Sequence, residues 1–240
     1  MEKIILKSTI KNSYRIYHNK FYIGKVLLYK NKYHLTNIYI KLKLKFYDCN
    51  VSKAIFSELE NKIVNPMQII ISKEDEKLTE FVQTGGFVCK RKCCIVQASV
   101  DNFLASKNKN VSLLFCRKGD LLYKKLAKKM FEYYCKTHSE INPWTSNFSK
   151  FYKLLPKTIA YWNDSGQVQN FAFIENNEIA YIYGIDKCQF SMFAENLIAY
   201  FFDKYDKVEF ESDDCDCCSQ WLKDLFDGAK QSEYDTYIYC

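Results

Sequence analysis

No apolar run in these 240 residues approaches the roughly 18 that a membrane span requires, and the opening Met1-Glu2-Lys3-Ile4-Ile5-Leu6-Lys7 has no signal-peptide hydrophobic region. The expectation is a cytoplasmic protein with no membrane partner. The Cys215-x-Cys217-Cys218 cluster, beside Asp213, Asp214 and Asp216, lacks the paired Cys-x-x-Cys of a zinc site and has no histidine close in sequence, so no metal is expected. The chain has 11 cysteines, an odd number scattered through apparent strands and helices; they read as reduced, small apolar fillers rather than a disulfide framework. A block of lysines is missing too. Lys41, Lys43 and Lys45 lie one by one along an alternating strand, and Tyr39 and Tyr47 are the obvious aromatic platforms near them, so nucleic acid is not expected as a partner.

What is present is an ordinary globular composition, 48% hydrophobic and 26% charged, over a length that suits two lobes of roughly 100 to 130 residues. Charge is divided unevenly. Residues 1–118 hold 22 Lys and Arg against 9 Asp and Glu, whereas residues 119–240 hold 13 against 19. The first lobe should attract anions and the second cations.

Alternation and turn residues give the first lobe strands at Ile4–Leu6, Tyr14–His18, Phe21–Tyr29 and His34–Leu44. A helix follows from an N-cap at Ser52 to about Ile63, then a strand Met67–Ser72, a helix Glu74–Thr84 stopped by Gly85-Gly86, and a strand Phe87–Val100. Val100–Asp120 reads as the linker. The second lobe repeats the order: helices Leu121–Thr137 and Phe148–Leu155, strands Lys157–Asn163, Val168–Glu175 and Glu178–Ile185 joined by turns at Asp164-Ser165-Gly166 and Asn176-Asn177. A helix Phe190–Lys204, a strand Val208–Ser212, a helix Asp216–Phe226 and a strand Tyr234–Tyr239 complete it. The expected class is α/β (α+β), with an N-terminal lobe at 1–105 and a C-terminal lobe at 119–240, each a mixed, mostly antiparallel sheet flanked by helices.

That order, together with Phe81-x-x-x-Gly85-Gly86-Phe87 closing a helix before a strand, resembles the GNAT (GCN5-related N-acetyltransferase) superfamily, as a tandem pair of lobes. The resemblance implies an acyl-CoA-dependent N-acyltransferase, with acetyl-CoA as donor and an amine of a small molecule or peptide as acceptor. It makes Ile38-Tyr39-Ile40 the fourth strand and puts Lys45, Asp48, Asn50, Val51 and Ser52 in and after the loop whose glycines bind the CoA pyrophosphate in the family. The spacing is kept and the glycines are not, and the tyrosine acid usual on the last helix is replaced by Val82 in one lobe and Leu225-Phe226 in the other.

The residues themselves offer Glu178 as a base and Tyr181 as an acid for proton transfer to and from an amine. Glu209 and Glu211 alternate with Val208 and Phe210, so their carboxylates share one strand face suited to a cationic amine; a solvated strand surface is the alternative. The resemblance puts Trp144, in the polar and aromatic loop Thr137–Trp144, where the family shapes its acceptor pocket; a simply packed ring is the alternative. Two readings stay open, an N-acyltransferase and a catalytically inactive GNAT-fold binding or scaffold protein, and a homodimer is left open as well.

Overall fold

Asp48 starts the first helix one turn before Ser52: its carboxylate accepts the Asn50 amide at 3.0 Å, which satisfies one of the unpaired donors at the helix start. Ser52 instead sits buried inside the helix with its hydroxyl donated to the Phe81 carbonyl. The computed structural model in which these contacts occur describes residues 3–10, 12–104, 111–164 and 166–239. Part of the expected linker, residues 105–110, and the turn residue Ser165 lie outside them. Among the described residues no helix is long and apolar enough to cross a membrane.

The chain forms two compact units that are not collinear with the sequence. Unit 1 comprises Met1–Lys92, His138–Thr145 and Glu233–Cys240; unit 2 comprises Cys93–Thr137 and Ser146–Ser232.

Unit 1 begins with an antiparallel meander, β1 (Ile4–Ile10), β2 (Ser13–His18), β3 (Phe21–Tyr29) and β4 (Ile38–Leu44). The last strand is shorter than expected, because His34–Asn37 leave the ladder and bond to the His138–Thr145 segment instead. Helix α1 (Cys49–Glu60) makes the crossover that a parallel pair needs and delivers β5 (Met67–Ser72) alongside β4. Helix α2 (Glu76–Thr84) leads to β6 (Val88–Ala98). Of the two glycines after α2, only Gly86 takes a positive φ, +106°. Gly85 is helical, and is required for space: a Cβ there would lie 2.3 Å from Cδ2 of Phe56. Ile16, Val26, Ile55, Phe56, Leu59, Phe81 and Val82 form the fully buried centre of this unit, each side chain contributing about 1.5–3 kcal/mol by leaving water.

Unit 2 holds β7 (Leu114–Arg117), α3 (Leu121–Thr137), α4 (Phe148–Leu154), β8 (Thr158–Asp164), β9 (Gln167–Glu175), β10 (Glu178–Tyr183), α5 (Lys187–Phe202), β11 (Val208–Asp213) and α6 (Cys217–Lys223). Strands β7 to β10 are antiparallel neighbours, and β10 runs parallel to β11. The short β7 falls in the stretch expected to be linker. One sheet face packs on α5 through Phe190, Phe193, Leu197, Ile198 and Phe201, all buried. The other packs on α3 and α4, where Tyr123 meets Phe173 and Phe151 meets Tyr181.

The closing strands exchange places relative to the sequence expectation. The strand β12 (Lys230–Tyr239), expected to complete the second lobe, pairs antiparallel with β5 in unit 1, from Tyr234 opposite Ser72 to Tyr239 opposite Met67. Conversely, the Cys93–Ala98 part of β6 pairs with β11 in unit 2. Side-chain fit decides this, since a strand settles where its apolar face finds a core. Tyr237 joins Ile69 and Ile71, while Cys94, Val96 and Ala98 join Phe210.

Candidate functional site

Each unit contains one parallel strand pair, and in each the pair soon parts. Strands β4 and β5 are in register only at Ile38–Met67 and Tyr39–Gln68. Strands β10 and β11 are in register only at Glu178–Glu209 and Ile179–Phe210. Against β9, the register of β10 also shifts between Ile179 and Tyr181, a bulge at Ala180 that re-aims the residues after it.

In unit 2 three strands bring a row of carboxylates onto one face. Directly opposed residues share a face, so Glu178, Glu209 and Gln97 form one row, Glu211 and Ile95 the next, and Asp213 and Cys93 the third. Gln97 Nε2 donates to Glu209 Oε2 at 2.7 Å, and the Cys93 thiol donates to Glu211 Oε1 at 3.1 Å. Glu178 holds its proton more tightly than an ordinary glutamate, first because burial penalises its charge and then because Glu209, Glu175 and Glu211 repel it. The Tyr181 phenol is pushed up to about 12 by burial and by Glu211 and Glu178. Burial and the neighbouring Glu211 and Asp213 raise the Cys93 thiol too. The ligand atoms of Cys93, Glu211 and Asp213 lie within 4.8 Å of one another, a thiol and two carboxylates of the kind a divalent cation takes, already linked by the thiol proton.

Glu178, Tyr181, Glu209 and Glu211 therefore stand together. Sequence reasoning missed Gln97 and Cys93, which come from a strand with no sequence signal that it neighbours β11.

The residues read as a cofactor loop lie in unit 1. Ile38, Tyr39 and Ile40 are buried on β4, with Tyr39 stacked on Tyr29 at 5.4 Å. Lys45 bonds through its amide to the Ile23 carbonyl at 2.9 Å and holds its ammonium 5.0 Å from the Tyr22 ring centre. Asn50 is exposed, whereas Val51 and Ser52 are enclosed in the core face of α1. Unit 2 repeats the capping: Asp186 accepts the Cys188 and Gln189 amides at the start of α5, both at 3.0 Å. In both units an aspartate thus fills the helix end that follows the fourth strand.

Trp144 belongs to the His138–Thr145 segment of unit 1. Its ring stacks on Tyr33 at 4.8 Å and meets His34 edge-on at 5.3 Å. The segment is held by His34 Nδ1, which donates to the Asn142 carbonyl at 2.8 Å, by Asn37 Nδ2, which donates to the Ile141 carbonyl at 2.9 Å, and by Asn142 Nδ2, which donates to the Tyr39 hydroxyl. Burial is the largest influence on His34 and lowers its pKa.

More than a hundred solved chains resemble this one, and two of them illustrate the likeness. A GCN5-related N-acetyltransferase from Sphaerobacter thermophilus superposes with a TM-score of 0.53 at 9% identity, covering 97% of this chain and 81% of its own. A conserved protein of unknown function from Enterococcus faecalis V583, carrying the name "Probable N-Acyltransferase", superposes with a TM-score of 0.50 at 11% identity over 94% of this chain, which spans 61% of that protein. No family model matches the sequence. No curated protein is significantly similar to it. The likeness is one of architecture: the chain is built on the GNAT fold, in two lobes with mixed, mostly antiparallel sheets.

Proposed function

We propose that this GNAT-fold chain is an N-acyltransferase that moves an acetyl group from acetyl-CoA to an amine of a small molecule or peptide. The observation that carries the reading is the convergence of Glu178, Glu209, Glu211 and Tyr181 where β10 and β11 part. An amine is almost fully protonated at neutral pH and must lose a proton before it attacks. The clustered carboxylates attract the cation, and Glu178, with its raised proton affinity, takes the proton. Tyr181 keeps its own proton at neutral pH and is the acid that the last helices of both lobes lack.

The acyl donor supplies the activated carbonyl. Its diphosphate calls for free amides at a helix start, and the residues there do not fit it: the carboxylates of Asp48 and Asp186 already accept those amides and repel an anion. Lys45, in the loop leading into α1, is the cation that unit 1 by itself offers an anionic donor. The same two aspartates favour a second reading, a catalytically inactive GNAT-fold binding or scaffold protein.

Calorimetry with acetyl-CoA on the reduced protein separates the two. Micromolar binding, with acetyl transfer to a diamine or lysine peptide abolished by Glu178→Gln, supports the enzyme, and weakening of that binding by Lys45→Ala assigns the donor to unit 1. Absence of binding at millimolar acetyl-CoA supports the scaffold.

A further inference from the structure

Residues 3–47 contain 11 lysines and arginines and not one aspartate or glutamate. The sheet register turns this bias into a surface. Lys7 stands opposite Arg15, Arg15 opposite Lys25, and Lys25 opposite Lys43, so four cations cross β1, β2, β3 and β4 in a single row. All four are exposed. Lys41 on β4 and Lys45 just beyond its end extend the row. Among the described residues none of the four is in an ion pair.

Aromatic rings lie between the charges. Tyr17 and Tyr22 meet edge-on at 5.7 Å, with the Lys7 ammonium 5.0 Å from the Tyr17 ring centre and that of Lys45 5.0 Å from Tyr22. Tyr29 and Leu27, on the same face of β3, are 46% and 44% exposed. In unit 2 the equivalent face, the one turned away from the helix that follows the fourth strand, carries Phe171, Phe173 and Tyr181 and is covered by α3 and α4. In unit 1 that face carries cations and is exposed at Lys7, Arg15, Lys25 and Lys43, while its Tyr39 end is buried beneath the His138–Thr145 segment. Like charges directly opposed across strands work against the sheet, so the row is not explained by folding.

We propose that this face of β1–β4 binds single-stranded nucleic acid, the cations meeting phosphates and Tyr17, Tyr22 and Tyr29 stacking bases. A sheet four strands wide, about 14 Å across, is too broad to enter a duplex major groove of about 12 Å, whereas a cationic sheet with exposed rings is the kind of platform on which unpaired bases stack. To the lysines that alternate along β4 the register adds a cation from each of three more strands. The proposal shares only Lys45 with the acyltransferase reading, and the variants that test it leave that residue and the unit 2 carboxylates unchanged.

The test is fluorescence anisotropy with a labelled oligo-dT of about twenty nucleotides, run against a duplex of the same length and vesicles of phosphatidylserine. Micromolar or tighter binding is expected, with Lys7→Gln, Arg15→Gln and Lys25→Gln each lowering the salt slope by about 0.7. Tyr17→Ala with Tyr29→Ala should weaken binding at least tenfold and leave the salt slope unchanged. Circular dichroism melts check that the exposed-site variants keep the wild-type fold. No binding at low salt, equal affinity for the duplex, or preference for vesicles overturns the proposal, as does an affinity indifferent to both sets of variants.

Discussion

The thiol of Cys218 and the backbone of Gly184 are bonded in both directions: the Gly184 amide donates to Sγ at 3.3 Å, and the thiol donates to the Gly184 carbonyl at 3.4 Å. This contact ties the start of α6 to the end of β10 where β10 and β11 have parted, and supplies partners for backbone groups that no neighbouring strand can reach. Gly184 is also tightly surrounded. A Cβ there would lie 2.5 Å from Cδ2 of Phe190 and 2.7 Å from Oδ1 of Asn170, both buried residues. Gly184→Ala should therefore destabilise the protein by about 1–3 kcal/mol through overpacking, read as a lower urea midpoint.

Cys218 should resist alkylation in the native state. Its thiol is fully buried and pushed up to about 12, first by burial. Cys188 and Cys217 are exposed. Mass spectrometry after brief iodoacetamide treatment should find label at Cys188 and Cys217, and at Cys218 only after denaturant is added. Labelling of Cys218 at the rate of Cys217 would show that the Gly184 contact opens readily.

The raised proton affinity of Glu178 has a stability consequence whose sign is fixed. The folded state binds this proton more tightly than the unfolded chain, so stability falls as pH rises from the ordinary carboxylate range through the raised value. Glu178→Gln should raise the urea midpoint at about pH 7 and leave it little changed at about pH 4, while removing acetyl transfer. Glu209→Gln should move the acid limb of the pH–rate profile downward, because one repelling charge has gone. An unmoved limb would detach Glu178 from the reaction.

Asp48→Asn separates charge from capping. Asparagine still accepts the Asn50 amide, so the helix keeps its cap, whereas Asp48→Ala should cost about 1 kcal/mol. With the negative charge removed, acetyl-CoA titrated into Asp48→Asn should bind several-fold more tightly than to the wild type if Lys45 and the start of α1 receive the diphosphate. Unchanged affinity would place the diphosphate elsewhere.

His34 is expected to be neutral when the His138–Thr145 segment is seated. Because its folded pKa is lowered, the stability it lends is complete above the ordinary histidine value of 6.5 and is lost as pH falls through the folded one. Taking the protein from about pH 7.5 to about pH 5 should loosen the segment and change the fluorescence of Trp144. A Trp162→Phe, Trp221→Phe background isolates that signal. His34→Asn should make the fluorescence independent of pH over that range.

Much of this architecture is legible in the sequence where the information is local. Alternation gives β3, the apolar run after Pro66 gives β5, and an amphipathic pattern gives α3, at the residues the structure has. The shared face of Glu209 and Glu211 follows from strand period alone. What escapes is pairing. That Glu178 lies opposite Glu209, that Cys93 lies opposite Asp213, and that Lys7, Arg15, Lys25 and Lys43 line up are facts of register between strands, and no property of either strand taken singly states them. The start of α1 was misplaced for a different reason: both Asp48 and Ser52 are good caps, and only the folded backbone shows whose oxygen reaches an amide. The division into lobes at 1–105 and 119–240 follows chain order, and the strands β6 and β12 do not.

Strand β12 has one more implication, for synthesis. Residues 67–72 leave the ribosome long before residues 234–239, yet they are ladder partners in the finished fold. Until residues 234–239 are made β5 therefore lacks the neighbour on that side, and its Ile69 and Ile71 stand beside an edge that another nascent chain can join. Unit 1 is begun early and closed only once residues 234–239 have been made, so its maturation is timed by β12 rather than by its own first strands.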